Sequence, residues 1–175
     1  MLKELKRCLL EIIDYLNSAA LIIGWFILII SIIPMIIVGL TNAFFGDTIK
    51  ASVVIGTSEF PKLTPGDIIF ILKTKNLDVG DIGCYIIPSD KCSPNLYIAR
   101  KGEGVCHDVV NKEVTKREVY YEFKGCANPT KDPCKIPDDF VEGKVIFRIP
   151  LIGIGVVPLQ IFFKVLIHLM MGGYI

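Results

Sequence analysis

The stretch "AALIIGWFILIISIIPMIIVGL", Ala19 to Leu40, constrains this chain more than any other. Its 22 residues carry no charge. As a helix rising ~1.5 Å per residue they reach ~33 Å, the thickness of a bilayer's hydrocarbon core. A cleaved signal peptide would have a shorter apolar region and a small-residue cleavage site behind it. Here the run is followed by Asn42-Ala43-Phe44-Phe45, a poor cleavage site. The expectation is a retained transmembrane helix over residues 18–42, kinked at Pro34, with neighbouring groups accommodating the kink.

The two ends extend this membrane reading. In "LKELKRCLLEIIDYL", Leu2, Leu5, Leu9, Ile12, Ile13 and Leu16 recur at helical spacing with charges between them. This predicts an amphipathic interfacial segment over residues 1–17. Lys3, Lys6 and Arg7 favour a cytoplasmic N-terminus, which places the following domain on the other side of the membrane. Near the C-terminus, Leu159 to Met171 is an apolar run of 13 residues, short for a span. Residues 157–175 read as a hydrophobic, membrane-associated helix with Lys164 snorkelling and His168 at the interface. A full crossing made with partner subunits is the alternative.

Residues 43–156 have a different texture. "ASVVIG", "DIIFILK", "IGCYIIP", "LYIARK", "GVCHDVV", "EVYYEFK" and "GKVIFRIP" are short runs rich in Val, Ile, Tyr and Phe, separated by turns such as "TPGD" and "NPTKDP". They predict a mostly β fold: a compact antiparallel sheet carrying the extracytoplasmic function, with helices at both ends. Lys and Arg number 19 and Asp and Glu 18, a net charge of +1, which leaves no electrostatic footprint for nucleic acid.

Several patches then match one family in order and spacing. "SEFPKLTPGD" resembles the S-M-x-P-T-L-x-x-G-D box of type I signal peptidases, membrane-bound serine proteases. "LDVGDIGCYIIP" is similar to their next strand, and "CHDVV" resembles I-H-R-V-V. "KGCANPTKDP" resembles K-G-D-A-N-P-x-x-D-P of archaeal members, and "GKVIFRIPLIG" their closing strand. The resemblance covers nearly all of the chain after residue 18. It implies a signal-peptidase fold of the archaeal or endoplasmic-reticulum type.

It also implies roles: Ser58 as nucleophile, His107 as general base and Asp132 as the carboxylate orienting the imidazole. Serine attacks an amide poorly unless a base takes its proton, and the carboxylate fixes the base's tautomer. The backbone N–H of Ser58 is the natural oxyanion donor. Taken singly, each residue has a plainer reading: Ser58 and Asp132 as turn residues beside proline, His107 as a half-buried polar side chain. Bacterial members use a lysine base, and Lys101 in "YIARKGEG" is the candidate for it; the spacing from His107 to "KGCANP" favours the histidine form.

The chain departs from the pattern at identifiable positions. Glu59 stands in place of methionine, Lys62 of threonine and Asp108 of arginine. Cys126 stands in place of the first aspartate of the G-D-A-N box. Gly56 removes a hydroxyl two residues before the nucleophile. Six cysteines are present; outside the cytoplasm disulfides form readily. A Cys126–Cys134 bridge would close the loop presenting Asp132, and Cys84–Cys106 is a second candidate pair. Cys106, His107, Cys126 and Cys134 offer sulfur and imidazole that would suit zinc, but no C-x-x-C spacing supports such a site.

The resulting expectation is a serine endopeptidase at a cell or endoplasmic-reticulum membrane. It would cut signal peptides from secretory preproteins after small residues, without cofactor or metal. The bilayer would be one partner and translocon or accessory membrane subunits others. The competing readings are a catalytically weakened accessory or binding subunit and a plain membrane-anchored β scaffold.

Overall fold

The computed structural model describes residues 2–94, 99–151, 153 and 157. The expected C-terminal helix, with Lys164 and His168, lies outside these residues.

Helix α1 runs unbroken over Leu2–Phe45, with Pro34 inside it. There is no break between the expected interfacial segment and the span, because neither Gly nor Pro interrupts residues 2–23. The described residues contain one helix long and apolar enough to cross a bilayer, Tyr15–Phe45. Leu21, Trp25, Phe26 and Ile36 are each more than half exposed. Burying such a side chain is worth about 1.5–3 kcal/mol, so this stripe calls for an apolar covering.

The helix ends against the sheet. Asn42 accepts from the Ala51 N–H at 2.7 Å through Oδ1 and donates to the Ala51 carbonyl at 3.0 Å through Nδ2. It thus acts as a one-residue strand partner for an edge that would otherwise be unpaired. Gly46 is required at the exit, since a Cβ there would stand 2.2 Å from the Asn42 carbonyl oxygen.

The remainder is mostly β. Strands β1 (Ile49–Val53), β2 (Ile68–Leu72), β3 (Ile82–Ile86), β4 (Gly104–Val114), β5 (Val119–Lys124), β6 (Ile136–Pro137) and β7 (Val141–Ile149) form one sheet. Its order is β1-β2-β7-β3-β4-β5-β6, and every pair is antiparallel. Bulges at Phe70/Ile71, Cys84/Tyr85 and Val109/Asn111 re-aim the strands around the site. The run "LYIARK" supplies no strand among its described residues. Arg100 to Glu103 close a turn instead, with Glu103 N–H on the Arg100 carbonyl and Gly102 at φ 85°.

Side-chain alternation divides the core between the two faces of the sheet. Leu77, Tyr85, Ile87, Val109, Tyr121, Phe123 and Ile136 form one cluster. Leu63, Ile69, Ile71 and Cys84 form the other. Adjacent residues Cys84 and Tyr85 therefore serve opposite faces, as the period of two demands. In the β3–β4 register Gly83 opposes His107, Cys84 opposes Cys106 and Tyr85 opposes Val105. His107 and Tyr85 thus share a face, and Cys106 lies on the other.

The cross-strand pair Cys84–Cys106 is a disulfide, and a second joins Cys92 to Cys134. The expected Cys126–Cys134 bridge is not formed. Cys134 packs with Cys92 against the first core cluster, whereas Cys126 is an exposed free thiol on the turn after β5.

Candidate active site

Ser58 occupies the loop between β1 and β2, and the loop is tied at several points. Phe60 N–H donates to the Thr57 carbonyl at 3.1 Å and Leu63 N–H to the Glu59 carbonyl at 3.0 Å, a tight turn centred on the serine. The Phe60–Pro61 peptide is cis. Leu63 is buried in the second core cluster and anchors the far side of the turn. At the base, buried Asp67 accepts from the Thr64 and Leu151 N–H groups at 2.9 and 3.0 Å. It also pairs with Arg148 at 2.8 Å. Burial would raise this carboxyl, but the two N–H donors and Arg148 outweigh it and hold it below the usual range.

The three sequence-nominated residues meet. His107 Nε2 lies 2.8 Å from Ser58 Oγ, and His107 Nδ1 lies 2.6 Å from Asp132 Oδ2. His107 and the Asp132 side chain are each 1% exposed, while Ser58 is half-buried. A carboxylate at Nδ1 calls for the tautomer with its proton there. The Nε2 lone pair then faces the serine hydroxyl, as a general base requires. Asp132 is held from both sides of its own residue: its N–H donates to the Phe123 carbonyl at 2.8 Å. Its second oxygen, Oδ1, is buried and has no partner among the described residues.

A fourth member went unnoticed in the sequence. Tyr85 Oη donates to Asp132 Oδ2 at 2.8 Å from a side chain that is fully buried and stacked on Phe123. Burial, then the Asp132 charge and this bond, push the phenol far above its usual range, so it keeps its proton for the bond to Asp132. In "IGCYIIP" it reads as one more core aromatic, and only the register with β4 puts it beside the histidine.

The Ser58 turn is also locked to the Asp132 loop. Ala127 N–H donates to the Ser58 carbonyl at 2.8 Å, and Asn128 N–H to the Gly125 carbonyl at 2.9 Å. A Cβ at Gly125 would stand 2.8 Å from the Ser58 carbonyl oxygen, so a side chain there would push the two loops apart. The Ser58 N–H donates to no group among the described residues. It remains free for an incoming oxyanion. At Gly56 an added Cβ would meet nothing nearer than Ser58 Oγ at 3.9 Å.

Glu59 is only 2% exposed. Its Oε1 accepts from the Asp108 N–H at 3.0 Å and the Cys126 N–H at 3.2 Å, while Oε2 has no partner among the described residues. Burial first, and the neighbouring Asp108 charge second, raise this carboxyl above its ordinary value. Asp108 in turn pairs with Lys62 at 2.5 Å, a bond that raises the lysine.

Lys101 takes no part in these hydrogen bonds. It sits on the exposed turn before β4, its N–H on Asp90 Oδ1 at 2.8 Å. The four-residue zinc set is not assembled, because Cys106 and Cys134 are committed to separate disulfides. Against known proteins, no family model matches this chain and no curated sequence matches it.

Proposed function

We propose that this chain is a membrane-anchored serine endopeptidase of the signal-peptidase type, cutting secretory precursors at the outer or lumenal face of the membrane. The observation that carries the reading is the continuous chain Ser58 Oγ–His107–Asp132, buried at its carboxylate end and open at the serine. The basic residues at the N-terminus support the orientation. The apolar helix leading directly into β1 supports a site held close to the bilayer.

In this reading Ser58 Oγ attacks the carbonyl carbon of the scissile peptide as His107 Nε2 takes its proton. The tetrahedral oxyanion is met by the Ser58 N–H. The imidazolium, steadied by Asp132, then gives its proton to the leaving amine, and an ester to Ser58 remains. Water attacks the ester carbonyl carbon as it loses a proton to Nε2; the bond to Ser58 Oγ then breaks, Oγ takes that proton back from Nε2, and the new carboxylate leaves. No cofactor enters the scheme. A second reading, an accessory binding subunit with weakened catalysis, is favoured by the absence of a side chain at Gly56 and by the unpartnered Asp132 Oδ1.

The test is cleavage of a model precursor with small residues at the −3 and −1 positions, using full-length protein in proteoliposomes. The proposal expects a single product with a junction after −1 from wild type and none from Ser58→Ala. Equal, negligible cleavage by both folded proteins would favour the binding reading.

A further inference from the structure

The hydrogen bonds around Ser58 include one side chain that touches all three segments of the triad without touching its reacting atoms. Glu59 follows the nucleophile directly in the chain. Its Oε1 accepts from the N–H of Asp108, the residue after the base. The same oxygen accepts from the N–H of Cys126, which opens the turn leading to Asp132. That turn closes back on the nucleophile through Ala127 N–H and the Ser58 carbonyl. One buried oxygen thus ties the loop after β1, strand β4 and the loop after β5 at a single point.

The contacts have a further regularity. Four positions at which the chain departs from the signal-peptidase pattern meet in space. Glu59 bonds the backbone at 108 and 126, and Lys62 pairs with the Asp108 carboxylate. A carboxylate is absent from side chain 126, yet one arrives at that backbone from residue 59.

We propose that Glu59 is a positioning residue, a backbone clamp that sets the separation of Ser58, His107 and Asp132. The inference rests on the peptidase reading for its catalytic consequence, while the clamp itself is a property of the fold. What the two N–H groups need is an acceptor oxygen, not a charge. Glutamine keeps that oxygen and methionine, of similar length, does not. Loss of the acceptor leaves two part-buried N–H groups without their partner and frees the three segments to drift. A displacement of about 1 Å among reacting groups costs on the order of 100-fold in rate.

The experiment compares wild type, Glu59→Gln and Glu59→Met as full-length protein in lipid nanodiscs, with two readouts. Residue-resolved amide exchange reports the clamp, and kcat and KM for the model precursor report the chemistry. In Glu59→Met the amides of residues 108 and 126 should exchange at least about tenfold faster. Its kcat should fall between about 10- and 100-fold with KM within about twofold. Glu59→Gln should keep both amides protected and kcat within about threefold of wild type.

Unchanged protection in the methionine variant would overturn the clamp. Faster exchange with unchanged kcat would overturn its catalytic role. If the methionine variant fails to fold, the glutamine variant decides: loss of protection or of kcat there overturns the claim that an acceptor oxygen suffices. A wild type that cleaves nothing sinks the peptidase reading instead, and the exchange data still decide the clamp.

Discussion

Replacing Tyr85 by phenylalanine removes one oxygen and nothing else from the buried side of the site. The ring stays stacked on Phe123, with centroids 4.5 Å apart, so the apolar burial is retained. What is lost is the 2.8 Å hydrogen bond to Asp132 Oδ2, an oxygen that also receives His107 Nδ1 at 2.6 Å. Hydrogen bonds to charged groups contribute about 1.5–3 kcal/mol. Asp132 Oδ1 already lacks a partner among the described residues, so no second donor stands ready to compensate. The whole amount should therefore register in folding stability, as a loss of about 1.5–3 kcal/mol in chemical denaturation. In the proposed reaction the histidine becomes a cation, and the aspartate must face it squarely at that moment. If half to all of the hydrogen-bond energy acts in the transition state, kcat falls roughly 4- to 150-fold, at 1.36 kcal/mol per tenfold. KM should move less than about twofold, because Tyr85 is fully buried and cannot touch a substrate. Stability within about 0.5 kcal/mol of wild type together with an unchanged kcat would refute the claim that this phenol holds the carboxylate.

Three further outcomes follow from the geometry. In Gly56→Ser the added Cβ meets no atom closer than 3.9 Å and brings a hydroxyl near Ser58, so precursor cleavage should quicken about tenfold; an unchanged rate would exclude a second oxyanion donor there. Removing the Cys92–Cys134 bridge with Cys134→Ser opens a link spanning 42 residues, and loop-closure entropy sets the loss at about 4 kcal/mol, read as the difference between oxidised wild type and variant in urea. Asp67 is held below its ordinary pKa, so its contribution is present above the unfolded value near 4 and is lost as pH falls through the folded value. The stability gap between wild type and Asp67→Asn should accordingly be largest at pH 6–7 and close below about pH 4; a gap independent of pH would contradict this.

The sequence carried the β texture and the three triad positions in different ways. Runs of Val, Ile, Tyr and Phe mark β2, β3, β4, β5 and β7 because these strands supply the two core clusters, β3 to both faces. The two-residue strand β6 is too short to show a period, and "LYIARK" shows strand-like residues where Gly102 and Glu103 close a turn. Ser58, His107 and Asp132 were nominated by the order of short motifs, since no spacing reveals which loops will touch. Tyr85 was hidden because its hydroxyl matters only through the β3–β4 register. Cysteine connectivity was hidden for a related reason: the five cysteines after the helix allow many pairings, and core packing chose Cys92 for Cys134. Glu59 stood out as a charge in an apolar place, yet its use as an acceptor for two N–H groups depends on loops far apart in the chain.

If Ser58, His107 and Asp132 work as one unit, their losses on substitution are not additive. Precursor cleavage should be measured for wild type, Ser58→Ala, His107→Ala and the double variant under identical conditions. Each single variant should lose nearly all the activity, and the double variant should be no slower than either. Wild-type cleavage that survives Ser58→Ala, or losses that multiply in the double variant, would contradict this.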